Sequence, residues 1–286
     1  VVGGGGRIYA ALFGGLSQGD ATGCRWSFPV DELENRAVAD VRVDPGNPSR
    51  VVAVESDGSG GNRVWVTTSA GERWAPTPQA PRDVLYERLR FAPSDPARVY
   101  LSGGTPPREG APRTGFVYRS DDGGETFPDA GRTDIAVDEA SRLVEMLAVS
   151  PTDPDVAFLK VSRFREDDEL RRTLDGGATW ETVLRVPTLR GFAMAPDGRT
   201  AWATGFEAGL QRSTDRGDTW EVLDADLDGQ CIVHDGAALW VCGEVRIVGF
   251  ALARSTDGGE RFETLYADEG VEPADCPGDT ETAAIC

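Results

Sequence analysis

The chain has 286 residues, which is enough to bury a large core as one domain. It carries 48 acidic and 29 basic residues, and the resulting formal net charge of −19 disfavours nucleic acid and anionic membrane surfaces as partners. No stretch of about eighteen or more apolar residues exists, so no segment is predicted to insert into a membrane.

The first pattern along the chain is a pair of short apolar strands joined by a tight turn. Alternating apolar residues lead to a proline, an Asn-Pro, Asp-Pro or Asp-Gly step follows, and a second apolar run begins. The pattern occurs over 41–54, 89–101, 147–159 and 192–204. The chain start, Val1 to Gly6, gives no clear first strand, and we interpret 137–147 as a loop.

A second pattern is an eight-residue motif: a hydroxyl residue, any residue, Asp, any residue, Gly, any residue, Thr or Arg, and an aromatic. Its fifth copy ends at Trp74 and has Ser69 in the Asp position, and Ser17 to Trp26 is a stretched sixth copy. Four copies are complete, with Asp, Gly and aromatic positions at Asp122, Gly124 and Phe127; Asp175, Gly177 and Trp180; Asp215, Gly217 and Trp220; and Asp257, Gly259 and Phe262.

The chemistry of this motif predicts a turn. Glycine permits a positive φ in a tight turn, and an Asp side chain accepts hydrogen bonds from the backbone amides of the same turn. The aromatic residue would start the outgoing strand and anchor the hairpin between neighbouring sheets. A catalytic or metal-binding role for the four aspartates is the alternative, but turn chemistry explains their spacing without a substrate.

The spacing of the motifs predicts the architecture. Successive aromatic positions lie 40 to 53 residues apart, a period typical of β-propeller blades. We therefore expect an all-β fold, a β-propeller of four-stranded blades that forms a single domain over 1–286. Six blades are visible, and a seventh would need further N-terminal sequence. The expected bounds are about 1–30, 38–78, 88–130, 145–184, 190–224 and 230–265, with 126–129 as the fourth strand of the third blade and 266–286 as a tail available to close the ring.

The motif resembles the Asp-box of the BNR-repeat β-propeller superfamily, which includes sialidases, sortilin-like receptors, certain glucanases and photosystem II assembly factors. The resemblance implies a propeller over nearly the whole chain without singling out one family. Sialidases carry their first substrate-binding arginine in a Phe/Tyr-Arg-Ile-Pro motif, of which Gly6-Arg7-Ile8-Tyr9 keeps only Arg-Ile. The glucanases place catalytic carboxylates in a cleft between two propellers, whereas one propeller is predicted here.

The five cysteines favour disulfides. Cys231 and Cys242 bracket a predicted hairpin and would face each other across it, and a bond between Cys276 and Cys286 would fix a polar tail. Cys24 is either free or paired with that tail. With one histidine and no CxxC spacing, metal ligation by these cysteines is disfavoured, so an extracellular or periplasmic location is predicted. No signal peptide is present, as would also be the case after cleavage of a precursor.

One acidic loop is a candidate calcium site. Asp224, Asp226 and Asp228 alternate before Gly229, as in the first half of a calcium loop, but Asp235 stands where the bidentate Glu belongs. The alternative is a solvated linker between blades. The only histidine, His234, lies beside Asp235 without a nucleophile motif, so we interpret it as a turn residue.

Three insertions are candidates for binding: Gly104 to Gly115, Arg163 to Arg172, and Glu244 to Ala251, of which the last is alternatively a longer strand. They occupy equivalent places in their blades and so share one face, where a rigid ring of blades presents long loops. We therefore predict a secreted, non-enzymatic propeller that binds a protein or a glycan, without catalytic residues and without a cofactor unless calcium binds. The alternatives are a sialidase-like or glucanase-like glycoside hydrolase and a subunit of a homo- or hetero-assembly.

Overall fold

The computed structural model describes residues 1–12, 14–27, 33–56, 62–81, 84–106, 113–138 and 140–267. These residues form two compact units, one up to Ala136 and one from Val137 onward. Each unit contains three antiparallel sheets whose strands are adjacent in the order of the sequence. The fold is an all-β propeller, as predicted, with five four-stranded blades and one three-stranded blade.

The first unit holds the first three sheets. The strands are β1 (Ile8–Leu12), β2 (Gly15–Gly19) and β3 (Trp26–Ser27) in the first sheet; β4 (Val38–Asp44), β5 (Asn47–Glu55), β6 (Val64–Thr67) and β7 (Ala75–Pro76) in the second; and β8 (Leu85–Ala92), β9 (Asp95–Gly104), β10 (Gly115–Ser120) and β11 (Arg132–Ile135) in the third. Short 3₁₀ turns span Gly4–Gly6 and Asp129–Gly131.

The second unit holds the other three. The strands are β12 (Ser141–Val149), β13 (Ala157–Arg163), β14 (Asp168–Thr173) and β15 (Glu181–Val186) in the fourth sheet; β16 (Thr188–Met194), β17 (Ala201–Phe206), β18 (Gly209–Ser213) and β19 (Glu221–Asp224) in the fifth; and β20 (Gly229–His234), β21 (Leu239–Gly243), β22 (Leu252–Ser255) and β23 (Glu263–Tyr266) in the sixth. A four-residue helix, α1 (Val245–Val248), joins β21 to β22. No helix of the described residues is long and apolar enough to cross a membrane.

Each four-stranded sheet repeats one plan with two distinct ends. The second strand passes to the third at what we call the loop end, and the third passes to the fourth through the eight-residue motif at the box end. The first strand of every four-stranded sheet has a register shift against the second strand near its own start, as between Val38 and Asp40 or between Tyr86 and Arg88. Such bulges bend a strand and redirect its side chains.

Apolar residues from neighbouring sheets pack together within each unit. One cluster joins Val52 of β5 to Tyr86 and Leu89 of β8, and another joins Phe158 of β13 to Leu189 of β16. The motif aromatics belong to these clusters, as the sequence predicts; they are Trp74, Phe127, Trp220 and Phe262 in four of the boxes. Burying them fixes each hairpin against the adjacent blade.

Several local predictions were wrong. The segment 137–147, interpreted as a loop, contains the start of β12, a strand that pairs with β13 along its length. The fourth strand of the third blade lies at Arg132–Ile135 rather than 126–129, because the motif aromatic is followed by a proline and a 3₁₀ turn. The alternative of a longer strand at 244–251 also fails, since Glu244 leads into α1. The predicted ring-closing tail lies outside the described residues, except for its first two.

The first sheet has three strands, consistent with the unclear first strand at the chain start. Its motif copy lies between β2 and β3, so these two correspond to the third and fourth strands of the other sheets, and β1 corresponds to the second. Residues Val2 and Ile8 form only an isolated bridge there.

Candidate functional site

The four complete boxes share one set of hydrogen bonds. Their hydroxyl residues are Ser120, Thr173, Ser213 and Ser255. Each hydroxyl oxygen accepts the N–H of the box glycine at 2.8–2.9 Å and donates to Oδ1 of the box aspartate at 2.6–2.8 Å. The same Oδ1 accepts the N–H of the residue before the aromatic at 2.9–3.0 Å. Oδ2 accepts from that residue's side chain, a threonine in three boxes and Arg261 in the last.

Both carboxylate oxygens of each box aspartate are thus engaged in their own turn. Hydrogen bonds from Thr219 and Ser213 lower the pKa of Asp215 to about 2, and those from Arg261 and Ser255 lower the pKa of Asp257 to about 2. The pKa of Asp175 is lowered mainly by the Thr179 hydroxyl; for Asp122, hydrogen bonds outweigh the effect of burial, which would raise the pKa. The four groups are ionised turn acceptors at neutral pH, which leaves them poorly suited to proton transfer.

The two partial boxes keep part of this pattern. Ser69 replaces the aspartate and still accepts the N–H of Arg73 at 3.2 Å, while the Thr67 hydroxyl accepts the N–H of Gly71 at 3.1 Å. In the first sheet the indole of Trp26 donates to the carbonyl of Gly23 at 2.8 Å. The boxes at Trp180 and Trp220 contain the same indole-to-glycine bond, at 3.1 and 3.2 Å.

The predicted calcium ligands do not converge. Asp224 Oδ1 accepts the N–H of Asp226 at 2.9 Å, and Asp228 Oδ1 accepts the N–H of Glu207 at 2.7 Å. Asp235 accepts two backbone N–H groups and the indole of Trp240, which together lower its pKa to about 2. Among the described residues no group of three His, Cys, Asp or Glu side chains is placed to hold a metal ion. Calcium binding at this loop stays a prediction.

His234 has a local structural contact. Its ring stacks on Trp202, with centroids 5.3 Å apart and an interplanar angle of 8°, and its Nδ1 accepts the N–H of Gly236. The adjacent strands carry the expected disulfide: Cys231 and Cys242 are bonded, with Cα atoms 5.1 Å apart at directly paired positions of β20 and β21. Cys24 is also disulfide-bonded. The predicted pair Cys276 and Cys286 lies outside the described residues.

In the first unit, the buried acid Asp40 on β4 has several partners. Its carboxylate accepts the backbone N–H groups of Val41 and Leu89, each at 3.0 Å, and forms ion pairs with Arg42 at 3.0 Å and Arg90 at 2.7 Å. Burial lowers the pKa of Arg90 to about 10 despite the opposing charge of Asp40, and the neighbouring guanidinium groups of Arg42 and Arg88 lower it further. The cluster joins the first strands of two sheets.

In the second unit, Glu169 on β14 is the centre of a buried ion-pair network. It accepts from Arg171 at 2.6 Å, Arg185 at 2.6 Å and Arg163 at 3.3 Å, and from the hydroxyl of Thr182 at 3.2 Å. Burial would raise the pKa of Glu169, but the hydrogen bond and charge of Arg171, the charge of Arg185 and the Thr182 hydroxyl outweigh it and lower the pKa. The network ties β13, β14 and β15 together.

A second buried group in this unit contains the only lysine. Lys160 Nζ pairs with Glu145 at 2.8 Å and donates to the carbonyl of Leu189 at 3.2 Å. Nearby, Asp168 accepts the N–H groups of Arg163 and Leu189. Burial raises the pKa of Asp168 more than these donors and the charge of Lys160 lower it, and the charge of Glu145 raises it further. The raised pKa is typical of functional sites, but it also follows from an acid that joins two blades.

Exposed apolar side chains lie at the loop ends of all three sheets of the second unit. Phe164 follows β13, Phe206 ends β17, and Ile247 lies in α1; their exposed fractions are 53%, 38% and 47%. Arginines cover both aromatic rings: Arg142 and Arg165 lie 5.0 and 4.9 Å from the Phe164 centroid, and Arg190 lies 5.8 Å from that of Phe206.

The sequence identified two of these loops as insertions but did not single out the apolar residues. The 163–172 insertion is shorter than predicted, because β14 begins at Asp168 and only four residues form the loop. The third predicted insertion, Gly104 to Gly115, lies partly outside the described residues. Phe206 was missed because it precedes a short turn, and its only sequence signal was a phenylalanine next to Glu207-Ala208-Gly209.

Two of the openings among the described residues of the first unit are large enough for a small molecule. At the loop end, a cavity of about 620 Å³ is lined by strand starts and ends, including Leu12, Val38, Tyr86 and Arg88. At the box end, a groove of about 690 Å³ lies between the boxes of the second and third sheets and is lined by residues that include Arg73, Trp74, Thr77, Glu125 and Thr126. Both volumes fall in the range of small-molecule sites.

Comparison with known proteins shows the fold but not a family. No protein-family model matches the chain, and no curated protein matches its sequence. It is similar to the crystal structure of an ancestral GH74 enzyme, with 15% identity and a TM-score of 0.67 over 94% of this chain and 38% of that one. It is also similar to the GH74 xyloglucanase from Xanthomonas campestris, with 19% identity and a TM-score of 0.54 over 96% of this chain and 52% of that one.

A structure of the nidogen/laminin complex is similar as well, with 9% identity and a TM-score of 0.54 over 90% of both chains. All three likenesses confirm a β-propeller, and identities this low carry no information on activity. The chain spans less than two thirds of the length of the two GH74 structures.

Proposed function

We propose that this protein is a non-enzymatic propeller that binds another protein through the loop end of its second unit. The observation that carries the proposal is the row of exposed apolar side chains on three successive sheets: Phe164, Phe206 and Ile247. Arginines lie over two of them. Aromatic residues and arginine are the types enriched at the centres of protein interfaces.

The position of these residues supports binding rather than folding. Phenylalanine side chains gain nothing from exposure to water, and here they recur at the same end of neighbouring sheets, where a partner could cover them. The three arginines supply guanidinium donors at this end of a chain of net charge −19, and such donors suit carboxylates or backbone carbonyls of a partner. A propeller of the same fold occurs in the nidogen/laminin complex, an assembly of two proteins.

The described acids give less support to a hydrolase. The box aspartates serve their turns, and Asp40 and Glu169 are saturated with arginine and backbone donors. General acid catalysis needs a carboxyl group that can reach substrate and exchange a proton. The rival reading is tested directly by measuring the release of reducing sugar from xyloglucan.

We also infer an extracellular or periplasmic location. The Cys231–Cys242 bond supports it, because disulfides persist in oxidising compartments and are rare in the cytosol.

The test uses a double variant, F164S/F206S, and a matched control, L174S/V222S. Leu174 and Val222 are also exposed, at 52% and 58%, but lie in a box and on an outer strand, away from the loop end. Each protein is immobilised and exposed to the extracellular fraction of the producing organism, and captured proteins are identified and then purified for affinity measurement.

The proposal expects a partner that binds the wild type and the control and loses at least tenfold in affinity for F164S/F206S. A partner that binds F164S/F206S as well as it binds the wild type would contradict it. So would hydrolysis of xyloglucan by the wild type with no captured protein.

A further inference from the structure

One edge of the first sheet is open among the described residues. In the four-stranded sheets the second strand pairs with the first strand up to the loop end, where Glu55 lies opposite Val38 and Gly104 lies opposite Leu85. β1 has the position of such a second strand and pairs with β2 on one side. Within the described part of the chain, no strand lies along its opposite edge.

The start of the chain covers only the beginning of this edge. The N–H and the carbonyl of Tyr9 are both bonded to Val1, each at 2.8 Å. Backbone groups of successive residues in an antiparallel ladder point to opposite sides, so those of Ala11 point to the same edge as those of Tyr9. No described residue forms a hydrogen bond with Ala11 on that side.

A cavity lies beside the unpaired groups of Ala11. It is the cavity of about 620 Å³ at the loop end, and its walls include the end of β1 and the starts of β4 and β8. Val38, Ala39 and Leu85 contribute apolar side chains to it, and Leu12 is 41% exposed there. An edge strand with free backbone groups beside an apolar cavity is a template for one more strand.

A disulfide indicates which segment reaches the first sheet. Cys24, between β2 and β3, is disulfide-bonded. Cys231 and Cys242 are bonded to each other. Of the five cysteines in the sequence, this leaves Cys276 and Cys286 as partners for Cys24. Both belong to the C-terminal tail.

The C-terminal tail ends in a run of residues that suits the cavity. Residues 282–285 are Thr-Ala-Ala-Ile, whereas the tail before them is rich in aspartate and glutamate. The two alanines have small side chains, and threonine and isoleucine favour an extended backbone. A run without charge enters an apolar cavity without the cost of burying an ion.

We propose that residues 282–285 add a short antiparallel strand to the open edge of β1, and that a Cys24–Cys276 disulfide holds the tail to the first sheet. Cys24 lies at the box end and Ala11 near the loop end, and these are separated by about the length of β2, roughly 17 Å. The five residues that follow Cys276 are long enough to span that distance before 282–285 begin. A bond to Cys286 would instead keep 282–285 close to the box end.

The added strand satisfies groups that β1 leaves open. The N–H and the carbonyl of Ala11 gain a partner, and the side chain of Ile285 is removed from water. The disulfide keeps the tail at a high effective concentration beside the edge, which favours pairing by so short a strand. The first sheet then has four strands, as the other five have.

A second copy of the chain and a peptide of another protein are the alternative occupants of this edge. Either would have to displace a tail that is covalently attached to the same sheet, and the high effective concentration of the tail opposes this. The proposal concerns the first unit and does not depend on the protein interface proposed for the second.

The disulfide is tested by mass spectrometry of the full chain after proteolysis without reduction. The expected finding is a peptide pair joined through Cys24 and Cys276. A bond between Cys24 and Cys286, or between Cys276 and Cys286, overturns the proposal.

The strand is tested by amide hydrogen exchange at Ala11, followed by NMR in the wild type, a chain that ends at Asp279, I285D and V271D. V271D places the same charge in the tail outside the proposed strand and is the matched control. The amide of Tyr9, which is bonded within the described chain, shows in each protein whether the first sheet is folded.

The Ala11 amide should exchange about five- to tenfold more slowly in the wild type and V271D than in the shortened chain and I285D, the effect of one hydrogen bond. Equal rates in the wild type and the shortened chain overturn the proposal, as does exchange in V271D as fast as in I285D. If the shortened chain loses protection at Tyr9, the comparison of I285D with the wild type decides. Slow exchange that appears only at high protein concentration would assign the edge to a second copy and also overturn the proposal.

Discussion

The side-chain amide of Gln18 donates to the carbonyl oxygen of Gly71 at 3.4 Å and links two sheets of the first unit at the box that ends in Trp74. In the boxes of Trp180 and Trp220 the equivalent glycine carbonyl accepts from the tryptophan of the same box, whereas the buried Trp74 indole N–H has no partner among the described residues. The tryptophan that ends a box therefore contributes a hydrogen bond in some boxes and none at Trp74, although the boxes are similar in sequence.

This difference predicts an asymmetric response to loss of the indole N–H. Replacing tryptophan by benzothienylalanine keeps the shape of the ring and removes only the donor. At Trp220, which donates to Gly217 at 3.2 Å, the free energy of unfolding should fall by about 1 kcal/mol. At Trp74, whose N–H is buried and unpaired, it should stay constant or rise. Urea unfolding of both proteins measures the difference, and equal losses at the two sites would refute the assignment.

The box aspartates predict a specific acid sensitivity. Hydrogen bonds in the folded state lower the pKa of Asp215 and Asp257 from the ordinary value of 3.8 to about 2. Because the folded pKa is the lower one, their stabilisation is complete above the unfolded pKa and is lost as the pH falls from about 4 towards about 2.

D215N/D257N should therefore melt a few degrees below the wild type at pH 6. Its melting temperature should also fall less than that of the wild type when the pH is lowered. Melting temperatures between pH 6 and 2 provide the measurement. The control is D226N, since Asp226 contributes only its backbone to the hydrogen bonds around it. If the melting temperatures of D215N/D257N and the wild type differ by the same amount at every pH, the carboxylates do not stabilise the turns.

The buried network at Glu169 predicts a large cost for neutralising one carboxylate. E169Q leaves Arg163, Arg171 and Arg185 without their shared partner, and the free energy of unfolding should fall by about 2–3 kcal/mol, less than for a fully dry ion pair because Arg185 is half exposed. E166Q removes an exposed partner of Arg163 and should change stability by less than about 0.5 kcal/mol. Denaturant titration of both variants measures the two free energies of unfolding. Similar decreases in E169Q and E166Q would mean that Glu169 is not the centre of the network.

The disulfide gives a fourth prediction. Cys231 and Cys242 lie eleven positions apart in the sequence, and closing a loop of that length stabilises a protein by about 2–3 kcal/mol. The C231A/C242A variant should show this loss by thermal unfolding. In protein isolated without reductant, a thiol reagent should leave both cysteines unmodified; modification at either would contradict an oxidised pair.

The fold could be predicted from sequence because each blade carries its own local signals. The Ser-x-Asp-x-Gly spacing at 213–217 fixes a turn by short-range hydrogen bonds, and the proline turns at 45–48 and 93–96 fix the strand pairs before it. Where the local signal was weaker, the prediction failed. Segment 137–147 looked irregular because the bulge near the start of β12 breaks its alternation, and pairing with β13 decides its conformation.

The candidate sites depended on tertiary packing and were therefore less predictable. Asp224, Asp226 and Asp228 matched a metal motif in spacing, yet Asp228 turns to the backbone of Glu207, a residue twenty-one positions away. The carbonyl of Gly71 in the Trp74 box accepts from Gln18, a residue that no motif connects to that box. Sequence spacing determines which atoms are near one another within a turn. It does not determine which of these atoms form hydrogen bonds with residues of a neighbouring blade.

The position of Lys160 has a practical consequence for measuring motion in the second unit. It is the only lysine in the chain, and its amine is enclosed by Glu145 and the Leu189 carbonyl with 16% of the side chain exposed. Amine-directed reagents therefore meet no freely accessible lysine on the folded protein and react quickly at this position only when β12, β13 and β16 separate. The rate of acylation at Lys160 therefore reports how often the fourth and fifth blades open. It can be measured at this single site by mass spectrometry, without an introduced label.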